Sequence, residues 1–199
     1  MAYRRTNLAA ATAAVTNRFV TSTNMKVGAY TVANASASWA AGFLVTVGHT
    51  TVATGTDTLG TITVTGTDLN GAALSETITP VADSTATGTR VFRTVTGVSG
   101  AGWVIAGGND TIIVGHAAGA YVASSTTELG AVVVNTTAAG TVALADADGA
   151  IATLKASIAE GVYRFEAQAR GYLKVSLAAA SDVTVLHAGT IDATSYTQA

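Results

Sequence analysis

The chain has 199 residues, a formal net charge of −2 and only 11% charged residues, where ordinary domains carry about 25%. Ala, Thr and Gly make up close to half of it, Pro occurs once and Cys is absent. Disulfide frameworks, thiol nucleophiles and cysteine metal sites are excluded, and the weak acidity argues against a nucleic-acid partner.

The first acidic residue is Asp57, so residues 1–56 hold Arg4, Arg5, Arg18 and Lys26 and no negative charge. Arg18 follows the weakly apolar run Leu8 to Val15 too closely for a signal peptide. Residues 1–24 read as an extended N-terminal arm with a short helix capped by Asn7. Its four basic side chains, Lys26 included, are the expected partner-binding residues, docking on an acidic neighbour. The uncharged stretch from Val27 to Thr56 is broken by Gly, Asn and Ser, so it lacks the run of about 20 apolar residues that a helical membrane span needs. Too few aromatics are present for the girdles of a membrane barrel, and no membrane partner is expected.

Beyond the arm the pattern is all-β. Early strands are expected at 31–33 and 43–47. Gly60 to Gly66 alternates Thr with Ile and Val, the period of a half-buried strand. Asp68-Leu-Asn-Gly71 supplies a hairpin turn, with Ala73 to Thr79 as the return strand, ended by Pro80. Arg90 to Val98 alternates again. Trp103 to Ala106, the turn Gly107 to Asp110 and Thr111 to Val114 read as a further hairpin. After a small-residue linker at 119–128, a second block contains Ala131 to Asn135, Gly140 to Ala145, the turn Asp146-Ala-Asp-Gly149, Ile151 to Ser157, Val162 to Gln168, Tyr172 to Leu177 and Val183 to His187. The expected fold is therefore two small antiparallel β-sandwich or barrel-like domains, 25–118 and 129–199, the latter with a C-terminal tail, preceded by the arm. The blocks share two features, an Asp-x-x-Gly hairpin and a closing strand led by Asp110 or Asp182. Duplication and independent use of the same turn chemistry both explain this.

Chemistry is sparse. His49, His116 and His187 lie at or near strand ends, without a metal-ligand spacing. Asp146-Ala-Asp-Gly149 imitates part of a calcium loop, but Ser157 stands where the closing acid is needed. Glu160 and Glu166 are near in sequence, but so are many surface acids, and glycoside chemistry needs two acids set across a cleft. Trp39 and Trp103 sit in apolar contexts and read as core or interface filler. No catalytic residue, metal site or cofactor is expected. Thr suits strands, and Ala and Gly let backbones approach closely, so the surface suits packing and self-association.

The runs Thr61-Ile-Thr-Val-Thr-Gly-Thr-Asp-Leu-Asn-Gly-Ala-Ala-Leu-Ser-Glu-Thr-Ile-Thr79, Thr87-Gly-Thr-Arg-Val-Phe-Arg-Thr-Val-Thr96 and Asp110-Thr-Ile-Ile-Val-Gly115 resemble structural proteins of tailed bacteriophages. These contain capsid decoration (cement) proteins, tail components and head–tail connectors. The resemblance covers about residues 58–116. It implies β-sandwich domains and a non-enzymatic virion protein on the outer capsid surface. Such a protein would bridge major capsid subunits and associate with copies of itself, expected as a homotrimer. A tail, fibre-base or head–tail joining protein is the alternative within that class. A carbohydrate-binding or adhesin module exposing its indoles is the alternative of another class. An enzyme would need two or three of His49, His116, His187, Glu160 and Glu166 in one pocket.

Overall fold

A computed structural model describes residues 3–52 and 57–188. The described residues form sixteen strands in chain order: β1 Tyr3–Leu8, β2 Val15–Asn24, β3 Ala29–Tyr30, β4 Phe43–Thr50, β5 Thr61–Thr67, β6 Ala73–Ile78, β7 Thr85–Phe92, β8 Thr94–Ala101, β9 Thr111–His116, β10 Ala120–Ala123, β11 Thr127–Val134, β12 Val142–Asp146, β13 Gly149–Leu154, β14 Gly161–Ala169, β15 Leu173–Leu177 and β16 Val183–Ala188. A single 3-10 turn, Met25–Val27, separates β2 from β3.

The strands form four antiparallel four-stranded sheets, ordered β2-β9-β4-β7, β3-β8-β5-β6, β1-β16-β11-β14 and β10-β15-β12-β13. Residues 14–37 and 42–118 make one compact unit, and 3–13, 38–41 and 119–188 make the other. Renumbered within its own unit, each set of eight strands has the same connectivity, with 1-8-3-6 in one sheet and 2-7-4-5 in the other. That is the jelly-roll arrangement. The first roll is the continuous run β2–β9. The second is discontinuous: β1 supplies its first strand, and the chain builds the whole first roll before returning at β10.

Local chemistry explains the elements. In β5, Ile62 and Val64 are fully buried while Thr61, Thr63 and Thr65 face outward. The β5–β6 hairpin is fixed by Asp68, whose Oδ1 accepts the N–H groups of Asn70 at 2.8 Å and Ala72 at 2.9 Å. Asp146 repeats the device at the topologically equivalent β12–β13 hairpin, accepting from Asp148 at 2.9 Å and Gly149 at 3.1 Å. Gly66 marks a register shift between β5 and β8, where a Cβ would overlap the Thr94 carbonyl. The first core centres on Phe19, Phe43 and Phe92, and the second on Leu8, Leu129, Leu144 and Leu173, all fully buried.

The all-β sandwich expectation agrees with the structure, and several boundaries are corrected. Residues 1–24 are not a separate arm: β1 pairs with β16 and β2 with β9, so each half completes a different roll. Asn7 lies on β1 and caps no helix. The expected linker at 119–128 contains β10, buried along its whole length, and the start of β11. Arg90 to Val98 is two strands in different sheets, broken at Arg93. Trp103 to Ala106 is not a strand, only an isolated bridge of Val104 to Thr58, and Thr31 to Ala33 is irregular. The C-terminal tail beyond 188 lies outside the described residues.

Candidate functional site

The titratable side chains are the candidates for chemistry. His49 closes β4 and Asp110 precedes β9, and their side chains meet in full burial at 3.2 Å. The Asp83 N–H donates to Nδ1 of His49 at 3.3 Å, which places the ring proton on Nε2, where it donates to Asp110. The other Asp110 oxygen accepts the Val52 N–H at 2.9 Å. Asp83, in a positive-φ turn at φ 49°, accepts the Thr51 N–H at 2.7 Å, which holds its carboxyl below the usual range. Both imidazole nitrogens are thus occupied by the fold. The triangle ties the end of β4 to the 81–84 turn and the entry to β9.

His116 packs against Phe19 and Phe43, with ring centroids 6.0 and 5.8 Å apart, and its Nδ1 donates to the Ala117 carbonyl at 3.2 Å. Burial pulls its pKa below 6.5. His187 is buried in the second roll, its Nδ1 without a hydrogen-bond partner among the described residues, and burial, then Arg4, lowers its pKa. His49 stands opposite Ile112 and His116 opposite Val45, towards opposite ends of the β4–β9 ladder. The structure therefore does not bring these two histidines together, and His187 belongs to the other unit. Among the described residues no three His, Cys, Asp or Glu side chains could hold a metal ion. Asp146 spends its carboxylate on three backbone donors, the third being Arg170 N–H at 2.9 Å. Trp39 is 4% exposed. Trp103 is half-buried over Gly28 and Gly100.

The four basic residues are spread over both units. Arg4 and Arg5 are exposed on β1, opposite His187 and Leu186. Arg18 is part-buried and donates from Nε to the Ser36 carbonyl at 3.0 Å. Lys26 donates from Nζ to the Gly108 carbonyl at 2.8 Å.

What remains is sheet surface. The outer face of β3-β8-β5-β6 follows from the register: Thr63 lies between Thr77 and Ser99, Thr65 between Ser75 and Gly97, and Thr67 between Ala73 and Thr94. Thr61 and Ala101 extend it at one end. None of these positions is ionisable. Hydroxyls bond across strands, with Thr67 to Thr94 at 2.7 Å and Thr63 to Thr77 at 3.3 Å. A shallow open groove of about 560 Å³ continues this face past Thr61 and Ala101 to Thr79, Pro80 and Gly102. No ionisable residue lines it.

The outer face of β1-β16-β11-β14 is different. One row runs Arg5, Leu186, Ala131, Arg164 and the next Asn7, Thr184, Val133, Val162. Asp182 accepts from the side-chain amides of Asn7 at 2.7 Å and Asn135 at 3.0 Å, which lowers its pKa. Tyr3 lies over Gly130, its hydroxyl donating to Glu128 at 2.9 Å. A hollow of about 160 Å³ opens between Tyr3, Leu186, Val162 and Arg164. Sequence reasoning missed this network, because Tyr3, Glu128 and Asp182 are joined only by strand register. No family model, curated protein or solved structure matches the chain.

Proposed function

We propose that the chain is a non-enzymatic structural protein of a tailed-phage virion, which decorates the capsid and stabilises it by bridging neighbouring major capsid subunits. The observation that carries the reading is the uncharged Thr, Ser, Gly and Ala face of β3-β8-β5-β6. The runs with the phage likeness are those that build this sheet and its neighbours β7 and β9. Jelly rolls serve both capsid and lectin domains, so the fold alone does not choose between them.

The faces do bear on that choice. Small hydroxylated side chains lose little rotamer entropy on contact, and no charge must be desolvated. Such a face is suited to a second protein surface. Trp39 is buried, which removes one of the two indoles an adhesin would present. The charged groups of the first roll are partly committed to its own turns and edges, as with Asp68 and Glu76.

Binding to heads of the encoding phage that lack the protein tests this reading. Thr65→Glu places a charge at the centre of the face and is expected to weaken head occupancy at least tenfold. Its thermal unfolding should stay close to the parent's, because Thr65 is exposed. Undiminished occupancy by a folded T65E protein would remove this face from the interface.

A further inference from the structure

We propose that β14 is a self-recognition edge. On this reading two copies of the chain join antiparallel about a dyad at Phe165, making one continuous eight-stranded sheet from two β1-β16-β11-β14 sheets. The proposal does not depend on the capsid reading.

Among the described residues β14 is nine residues long, ends its sheet and pairs only with β11, with a register shift where Phe165 and Glu166 lie opposite Gly130. Val162, Arg164, Glu166 and Gln168 are exposed, and Tyr163, Phe165 and Ala167 are half-buried. Open edges invite pairing, and proteins ordinarily blunt them. The topologically equivalent edge in the first roll, β7, is sealed. Glu76 of β6 accepts the N–H of Thr89 at 2.6 Å and of Arg90 at 3.3 Å, while the Arg90 guanidinium donates to the Ser75 carbonyl at 2.8 Å. The equivalent strand beside β14 is β13, Gly-Ala-Ile-Ala-Thr-Leu, which has no carboxylate to repeat the seal.

The sequence of the open edge is self-complementary in one register. In an antiparallel pair, residues directly opposite either both direct their backbone groups towards the partner or both direct them away. A dyad therefore passes through a residue position. At Phe165 it sets Arg164 opposite Glu166 twice, Tyr163 opposite Ala167 and Val162 opposite Gln168. Shifted by one residue it sets Arg164 against Arg164, or Glu166 against Glu166. Shifted by two it sets Arg164 against Arg170, or Glu166 against Glu160. Opposite charges across strands attract and like charges repel, so the charge pattern selects the Phe165 register and penalises its neighbours. Among the described residues neither Arg164 nor Glu166 has an ion-pair partner within the chain. The other edges of the second roll lack this pattern: β1 carries Arg4 and Arg5 only, and β10 and β13 have no charge to fix a register.

The test is mass in solution of the full chain across a concentration series. The parent is expected to reach twice 19.7 kDa as concentration rises. R164E, with an all-acidic edge, and E166R, with an all-basic edge, are each expected to stay monomeric. Mixed together they should recover the dimer mass, because every cross-strand pair then joins opposite charges. The double variant R164E/E166R should recover it alone. Recovery on mixing also shows that both single variants are folded. A parent that stays monomeric, a mass of three chains, single variants that keep the parent's dimer, or a mixture that stays monomeric would each overturn the proposal.

Discussion

At the scale of single residues, burial has opposite consequences for two histidine environments. Asp110 receives the ring N–H of His49 and the Val52 N–H, so Asp110→Asn turns an amide N–H₂ against a donor. An unsatisfied buried donor costs about 1–3 kcal/mol, and denaturant unfolding of D110N is expected to show a loss of that size. His187 has a buried nitrogen with no partner, so His187→Leu is expected to change stability by less than about 1 kcal/mol. Stability also depends on pH through the buried histidines. His116 and His187 bind protons less readily folded than unfolded. The unfolded chain therefore takes up more protons below the ordinary value of 6.5, and stability falls as pH drops through that value towards the folded ones. H187L should flatten part of this fall. An unchanged slope in H187L would contradict the assignment.

At the scale of elements, the hairpins were legible because their signals are local. Asp68 to Gly71 and Asp146 to Gly149 carry the Asx-type bonds and glycines that their turns need. The strands that sequence reasoning missed are those whose burial is set by distant chain. β1 hides only Leu8 completely, so its alternation is too faint to separate it from an arm. β10, Ala-Tyr-Val-Ala, is buried throughout and has no alternation at all. The partnership of Tyr3 with Glu128 was illegible for the same reason. Because β1 is a strand of the second roll, the first residues should matter for folding more than for charge. Leu8→Ala is expected to cost about 2–5 kcal/mol, the range for a buried leucine. Arg4→Ala and Arg5→Ala, both exposed, should each stay within about 0.5 kcal/mol. Urea unfolding measures all three, and a neutral L8A with destabilised arginine variants would restore the arm.

At the scale of the whole molecule, the weak repeat seen in sequence coincides with a repeat of topology. The two Asp-x-x-Gly hairpins join equivalent strands, and the strands led by Asp110 and Asp182 are both the eighth of their roll. The rolls are interleaved along the chain, since β1 belongs with β10–β16. No local signal announces that, because it lies in pairings between strands as far apart as β1 and β16. The low charge content also has a structural meaning. Thr on one sheet face supplies an uncharged surface, and carboxylates such as Asp68 and Glu76 cap a turn or seal an edge. The proposed function requires this uncharged face to meet a larger shell. A cryo-electron microscopy reconstruction of the phage particle tests it most directly. Density for both jelly rolls is expected on the outer head, at joints between capsid subunits, with the Thr63–Thr77 face of the first roll against the shell. Density confined to the tail, or a head-bound copy turning that face to solvent, would contradict it.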